Sequence, residues 1–179
     1  ITRPMPSARH LSYAALMVAA GLTGVYAETI PNFEVLTLVV FLSGVLLGAG
    51  WGATVGGVSM LAYSLLNPYG PVHPLVTVSQ VVGELAAGPA GAWFVALGFE
   101  RRPAVVRGAV LAVNAVLLTG FFDALTNFAT GVLFGQIRMT MVGGIPFALW
   151  HIGTNLALFA TLGTPLVVVF ARYRSRLSQ

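Results

Sequence analysis

The chain contains no lysine and no cysteine, and only 8% of its 179 residues are charged. Without lysine the phosphate-binding loop G-x-x-x-x-G-K-[ST] is excluded, so any ATP hydrolysis in its work falls to another chain. Without cysteine there is no disulfide, no thiolate ligand and no thiol nucleophile. The serine elbow G-x-S-x-G and the zinc motif H-E-x-x-H are missing too. An enzyme acting within a membrane is therefore the least favoured function. Asp123 and His151 suit acid–base work, but no nucleophile or metal set accompanies them. No metal site and no cofactor is expected.

The scarcity of charge also excludes an ordinary soluble domain, in which about 25% of residues are charged. Here 57% are apolar and the mean hydropathy is +0.88. This composition predicts an all-α integral membrane protein in a lipid bilayer. No stretch is polar enough for a second domain, so residues 1–179 read as one. The sequence pI near 10.1 raises nucleic acid as a partner. All nine basic residues are arginines, however, and they sit at segment ends, which membrane topology explains more simply. The first residues lack the pattern of a cleaved signal peptide, so the first apolar run reads as a retained helix.

A spanning helix needs about 20 apolar residues. Six candidates follow in order: 9–26, 34–47, 51–66, 74–97, 103–128 (or further) and 145–172. The second is short for a span. The 33 residues from Glu34 to Leu66 are too many for one span, and Gly48-Ala49-Gly50-Trp51-Gly52 is a turn signal between two. Six spans put Arg3, Arg9, Arg101, Arg102, Arg107, Arg172, Arg174 and Arg176 on one side, with Arg138 alone opposite. Positive-inside bias makes the crowded side cytoplasmic, with both termini there. The outer side then holds three connections, 27–33, 67–74 and 129–144. Glu28 and Glu34 lie at the first.

Pro31 to Pro74 is the most patterned stretch. Gly44, Gly48, Gly52 and Gly56 recur every four residues, which makes a smooth helix face where another backbone can approach. It reads as a tight hairpin that carries lid residues Asn32, Asn67, Tyr69 and His73 at its open ends. His73, between two prolines, reads as a solvated loop histidine more than a metal or cobalt ligand.

Ionisable groups inside a membrane are costly and mark function by default. Three consecutive spans each carry a polar pair at i,i+4 in their outer half: Gln80 and Glu84, Asp123 and Asn127, His151 and Asn155. Tyr26, Tyr63, Tyr69, Phe121, Phe122, Phe147 and Trp150 lie at the same level. Two readings stand. The pairs line an outward-open pocket whose aromatics stack on a ligand, or they bond helices together beneath an interfacial aromatic belt. A pocket with two acids and no buried Arg or Lys suits a cationic or hydrogen-bond-donating ligand. Asn114, deeper, reads as structural. Ala15 and Ala19, then Ala20 and Gly24, are small-xxx-small pairs on the first span, suited to helix packing within the chain or against a partner.

The chain resembles the substrate-binding S components of energy-coupling factor (ECF) vitamin transporters. The resemblance rests on six short helices and on Ala15-xxx-Ala19. It rests also on the segments NFEVLTLVVFLSGVLLGAGWGATVGGVSMLAYSLLNPYGP, DALTN and GIPFALWHIGTNLALFATLGTPL. It implies high-affinity capture of a micronutrient from outside a prokaryotic cytoplasmic membrane, by a site on spans 4 to 6 closed by the outer loops. Substrate-binding candidates are then Gln80, Glu84, Asp123, Asn127, Trp150, His151 and Asn155. Ala15 and Ala19 would dock a transmembrane coupling subunit joined to two ATPase subunits. Thiamine or a precursor is the favoured ligand, cobalamin the runner-up, and a neutral vitamin such as riboflavin stays open. The alternative is a small secondary transporter, channel or solitary carrier. Gly88-Pro89, a break signal in the fourth span, keeps that reading in play.

Overall fold

A computed structural model describes residues 8–27 and 32–177. Arg3, Glu28 and Pro31 lie outside the described residues. Among the described residues the chain is helical, with no strand. Its helices are α1 (Ala8–Tyr26), α2 (Leu36–Leu47), α3 (Ala49–Leu65), α4 (Pro74–Leu85), α5 (Ala87–Ala96), α6 (Ala104–Phe134), α7 (Ile137–Gly143), α8 (Ile145–Leu158) and α9 (Thr164–Leu177). A 3-10 turn, Phe99–Arg101, joins α5 to α6, and a π turn, Phe159–Gly163, joins α8 to α9. Two continuous helices, Ala104–Phe134 and Ile145–Leu177, are long and apolar enough to cross a membrane.

The core forms around α2, in which every residue but Val39 is buried. An apolar helix this short that is hydrophobic on all sides belongs inside a protein. Its Phe41 meets Phe94 of α5 and Phe159 of the π turn edge-on, at 5.7 and 5.3 Å between ring centroids. The expected hairpin of α2 and α3 is present, but its turn is a single residue. Gly48 sits at φ 91°, a conformation that side chains disfavour, and α3 begins at once with Ala49. The other three glycines are split between the two helices and open close approaches on both: Gly44 of α2 and Gly52 of α3 face each other and α5, and Gly56 of α3 faces α4. The sequence did not single out α5 as a partner. A Cβ on Gly44 would overlap the Gly88 carbonyl oxygen, and one on Gly52 would fall 2.8 Å from the Gly88 Cα. Three backbones thus meet where no methyl group fits.

Three expected spans differ in form. The fourth, 74–97, is broken at Ala86 into α4 and α5. Pro89 explains the break: it has no N–H for the Leu85 carbonyl and its ring crowds that turn. The fifth runs past residue 128 to Phe134 and stops at Gly135, which is left-handed at φ 66°. The expected loop 129–144 is therefore mostly helix. Gly131 remains helical, and its missing Cβ leaves room for Ile137 and Thr140 of α7. The sixth continues past Arg172 to Leu177 through the π turn.

The bundle has two chemically distinct ends. Arg9, Arg101, Arg102, Arg107, Arg174 and Arg176 gather where α1 and α6 begin and α2, α5 and α9 end. Arg107 clamps this end, donating from Nε to the Thr164 carbonyl at 2.8 Å and from a terminal nitrogen to the Arg102 carbonyl at 2.9 Å. The opposite end carries the start of α2, the end of α3, the start of α4 and all of α7. There the helices part.

Candidate functional site

A cavity of about 230 Å³ opens between the helices at the end away from the arginines. Polar residues on its wall are Asn32, Glu34, Thr37, Asn67, Gln80, Glu84, Asp123, Thr126, Asn127 and His151, and Phe122, Tyr63, Met60 and Phe147 supply apolar faces. Four charged or chargeable groups thus arrive from four places in the chain. Glu34 precedes α2, Glu84 lies in the last turn of α4, Asp123 lies just past the middle of α6, and His151 sits midway along α8.

Local structure fixes each of them. The Glu34 carboxylate accepts the Leu36 N–H at the start of α2, an otherwise orphan helix donor. Glu84 is held through its backbone: a Cβ on Gly56 of α3 would meet the Glu84 carbonyl oxygen at 2.8 Å, so α3 and α4 touch main chain to main chain there. Gly83 does the same for α6, since a Cβ on it would meet the Phe122 ring at 2.8 Å. Phe122 in turn stands edge-on to the His151 imidazole, with centroids 6.1 Å apart and planes at 88°.

The polar groups form a connected row. His151 Nδ1 lies 3.0 Å from Asp123 Oδ1. On its other side Nε2 lies 3.9 Å from Glu34 Oε1, too far for a hydrogen bond. Thr37 Oγ1 sits 3.3 Å from Glu34 Oε1 and 3.4 Å from Glu84 Oε2. All five side chains are buried. Ser64 donates to Gln80 Oε1 at 3.0 Å, which orients that amide at the rim.

The structure brings Gln80, Glu84, Asp123, Asn127 and His151 to one cavity, together with Asn32 and Asn67 from the expected lid. It does not bring Asn155 there. That side chain is buried one turn deeper and donates to Thr119 Oγ1 at 3.0 Å, tying α8 to α6. Trp150 is half exposed and lies outside the wall, as the helical 100° step from His151 requires. Tyr69 is 93% exposed. His73 is spent on local structure: Nδ1 accepts the Leu75 N–H and caps α4. Tyr26 stacks edge-on against Tyr63 behind the wall, and Phe121 faces outward. Asn114 donates to the Val110 carbonyl within its own helix, at 2.8 Å.

Glu34, Thr37 and Thr126 are wall residues that the sequence did not nominate. Glu34 was visible as an acid beside the first connection, yet its place under His151 depends on how α2 enters the bundle. The two threonines carry no signal in an apolar run. Asn32 is reached by a contact that sequence distance hides: Thr154 Oγ1 of α8 donates to the Asn32 carbonyl at 2.6 Å. Asn32 sits at φ 61°, the left-handed region that Asn tolerates better than most residues. Ala15 and Ala19 lie on the exposed face of α1, away from the buried row Ala14, Met17, Gly21 and Val25. No protein family, no curated protein and no solved structure matches this chain.

Proposed function

We propose that the chain is the substrate-binding subunit of an ECF-type importer, set in a prokaryotic cytoplasmic membrane with six spans and both termini inside. The spans are α1, α2, α3, α4 with α5, α6, and α8 with α9. What supports a membrane setting is the exposed surface. A long apolar helix at the heart of a soluble protein would be covered, whereas only 17% of the apolar stretch of α6 is buried. Val105, Val113, Leu117, Phe121, Phe128 and Phe134 all point outward on that helix. Water disfavours such a surface and lipid does not. The short α2 fits this setting because its neighbours, not lipid, surround it.

The observation that carries the binding role is the carboxylate- and histidine-lined cavity at the end opposite the arginines, the outer end under the positive-inside rule. Its size suits a small vitamin or precursor better than cobalamin, since pockets for drug-sized ligands begin at about 300 Å³. His73, engaged in capping α4, offers nothing to a cobalt ion. Capture would occur here, and α1, with Ala15 and Ala19 outward, would meet a transmembrane coupling subunit that works with two ATPase subunits.

The test is mass spectrometry of whatever the purified protein releases on denaturation, followed by uptake in cells with and without coupling subunits. A released vitamin-like molecule, taken up only with the coupling subunits, is expected. A protein that carries none, and that no vitamin stabilises, would sink the proposal. One feature favours a second reading, a solitary secondary carrier: Glu84 lies at the end of α4, beside the break at Ala86, and carriers place ion sites at broken helices. Substrate accumulation in ATP-free vesicles would favour that reading.

A further inference from the structure

The buried end of the cavity holds more acidic side chains than basic ones. Glu34, Glu84 and Asp123 line it, and His151 is the sole basic side chain among the described lining residues. Even an imidazolium leaves the carboxylates in excess. The single hydroxyl hydrogen of Thr37 serves Glu34 or Glu84 but not both at once. Five buried atoms of the wall are left without a hydrogen-bond partner: Asn32 Nδ2, Glu84 Oε1, Asp123 Oδ2, Thr126 Oγ1 and His151 Nε2. Folded proteins leave few buried polar atoms unpaired, and a buried charge without compensation is costly. Five such atoms around one cavity describe the ligand by what they lack.

Two of the five are carboxylate oxygens, which only accept. They call for N–H or O–H donors carrying positive charge. Asn32 Nδ2 only donates, and so calls for an acceptor on the ligand. A bare divalent ion is a poor match, because Glu34, Glu84, Asp123 and His151 form no metal-holding group among the described residues. The apolar faces of Tyr63, Phe122 and Phe147 leave room for a ring.

We infer that the cavity takes a small organic cation whose charge is spread over a planar group bearing N–H donors, such as an amidinium or an aminated heterocycle, with an acceptor facing Asn32. This rests on the binding-subunit reading and adds the ligand's chemical class to it. The donors engage Glu84 Oε1 and Asp123 Oδ2, as charge-assisted bonds that exceed neutral ones in strength. The ring lies against Phe122, and its bulk is limited to one ring system with short substituents.

Calorimetric titration of the full-length wild-type protein in lipid nanodiscs tests this with four probes: benzamidine, benzamide, benzoate and phenyltrimethylammonium. They share a ring and differ in charge and in N–H donors. Benzamidine is expected to bind at least tenfold more tightly than each of the other three, and to lose at least tenfold in Glu84→Gln. Benzamide or benzoate binding as tightly would overturn the charge requirement. Phenyltrimethylammonium binding as tightly would overturn the need for N–H donors. No binding by any probe, or an unchanged affinity in a folded Glu84→Gln, would overturn both. The comparison among probes uses the wild-type chain and stands whether or not the variant folds. A released vitamin without a cationic N–H group would defeat this inference and leave the uptake reading intact. Selective benzamidine binding by a protein that supports no uptake would do the reverse.

Discussion

His151 on α8 faces Asp123 on α6 with Nδ1 3.0 Å from Oδ1, and both side chains are buried. The pair links the two long helices at the level of the cavity, while Nε2 of the same ring is left without a hydrogen bond. One edge of the imidazole is structural and the other is available. The same division runs through the site. Asp123 offers Oδ1 to His151 and keeps Oδ2 unpaired, and Glu84 keeps Oε1 unpaired while Oε2 nears Thr37.

Replacing the carboxyl groups that carry the unpaired oxygens should cost binding more than folding. Asp123→Asn keeps the shape and can still meet His151, and Glu84→Gln relieves a buried acid. Each is expected to lower affinity for the released natural ligand at least tenfold, about 1.4 kcal/mol. The unfolding temperature without ligand should change little. Titration and thermal unfolding of the same preparations check this. Unchanged affinity in both variants would assign the carboxylates to helix–helix bonding instead.

Gly56→Ala tests the backbone contact beneath Glu84. The added methyl would sit 2.8 Å from the Glu84 carbonyl oxygen and 2.9 Å from Val40 Cγ1. Backbone cannot step aside as a side-chain tip can, so α4 must move. A loss of about 1–3 kcal/mol is expected, as for other overpacked sites, with weaker ligand binding beside it. Gly50→Ala is the control on the same helix, where nothing lies within 4 Å of the new Cβ. It should be neutral or stabilise by up to about 1 kcal/mol. Equal unfolding curves for the two variants would refute the close contact.

Thr154→Val tests the tie between α8 and Asn32. It deletes the hydroxyl that reaches the Asn32 carbonyl and leaves the shape unchanged. The expected stability loss is about 1 kcal/mol. The stronger effect should be kinetic, since Asn32 belongs to the cavity wall and its carbonyl is tied to α8: ligand dissociation should quicken severalfold with a smaller change in association. Stopped-flow release measurements read both rates. An unaltered dissociation rate would mean that Asn32 does not gate the site.

Asn155→Leu separates packing from binding. Asn155 bonds to Thr119 and is not part of the wall, so this variant should lose stability by about 1–3 kcal/mol through the Thr119 hydroxyl it leaves unpaired. Affinity per folded molecule should stay within about twofold. A tenfold loss of affinity at constant folded fraction would return Asn155 to the binding set.

Ala15→Leu addresses the partner. The residue is exposed on α1 and touches nothing of the cavity. Ligand affinity should be unchanged, while uptake in cells that supply coupling subunits should fall to background. Normal uptake would remove the docking role from this face.

Much of the helical layout was legible because its causes are local. Absent charge, long apolar runs and arginines at segment ends give helices with the right order and a bundle with one basic end. Gly44, Gly52 and Gly56 announce a close backbone approach through spacing alone, and Gly88-Pro89 announces a break near α5. The i,i+4 pairs Gln80 with Glu84, and Asp123 with Asn127, follow from helical geometry, and each pair does reach one wall. Less visible were the effects of neighbours. Pro89 acts one turn upstream, so the break falls at Ala86. Gly131 looks like a loop residue, yet it is the socket in which α7 rests.

The sequence by itself determined the apolar helices, the arginine-rich end and which faces of α4 and α6 are polar, since composition and a 3.6-residue period decide those. Only the tertiary structure decided that Glu34 lies beside His151, that Asn155 turns to Thr119 and that α5 packs against Gly44 and Gly52. Those relations depend on rotation and depth between helices far apart in the chain. A turn of about 100° at one residue moves a side chain from cavity to neighbour, and no local pattern encodes it.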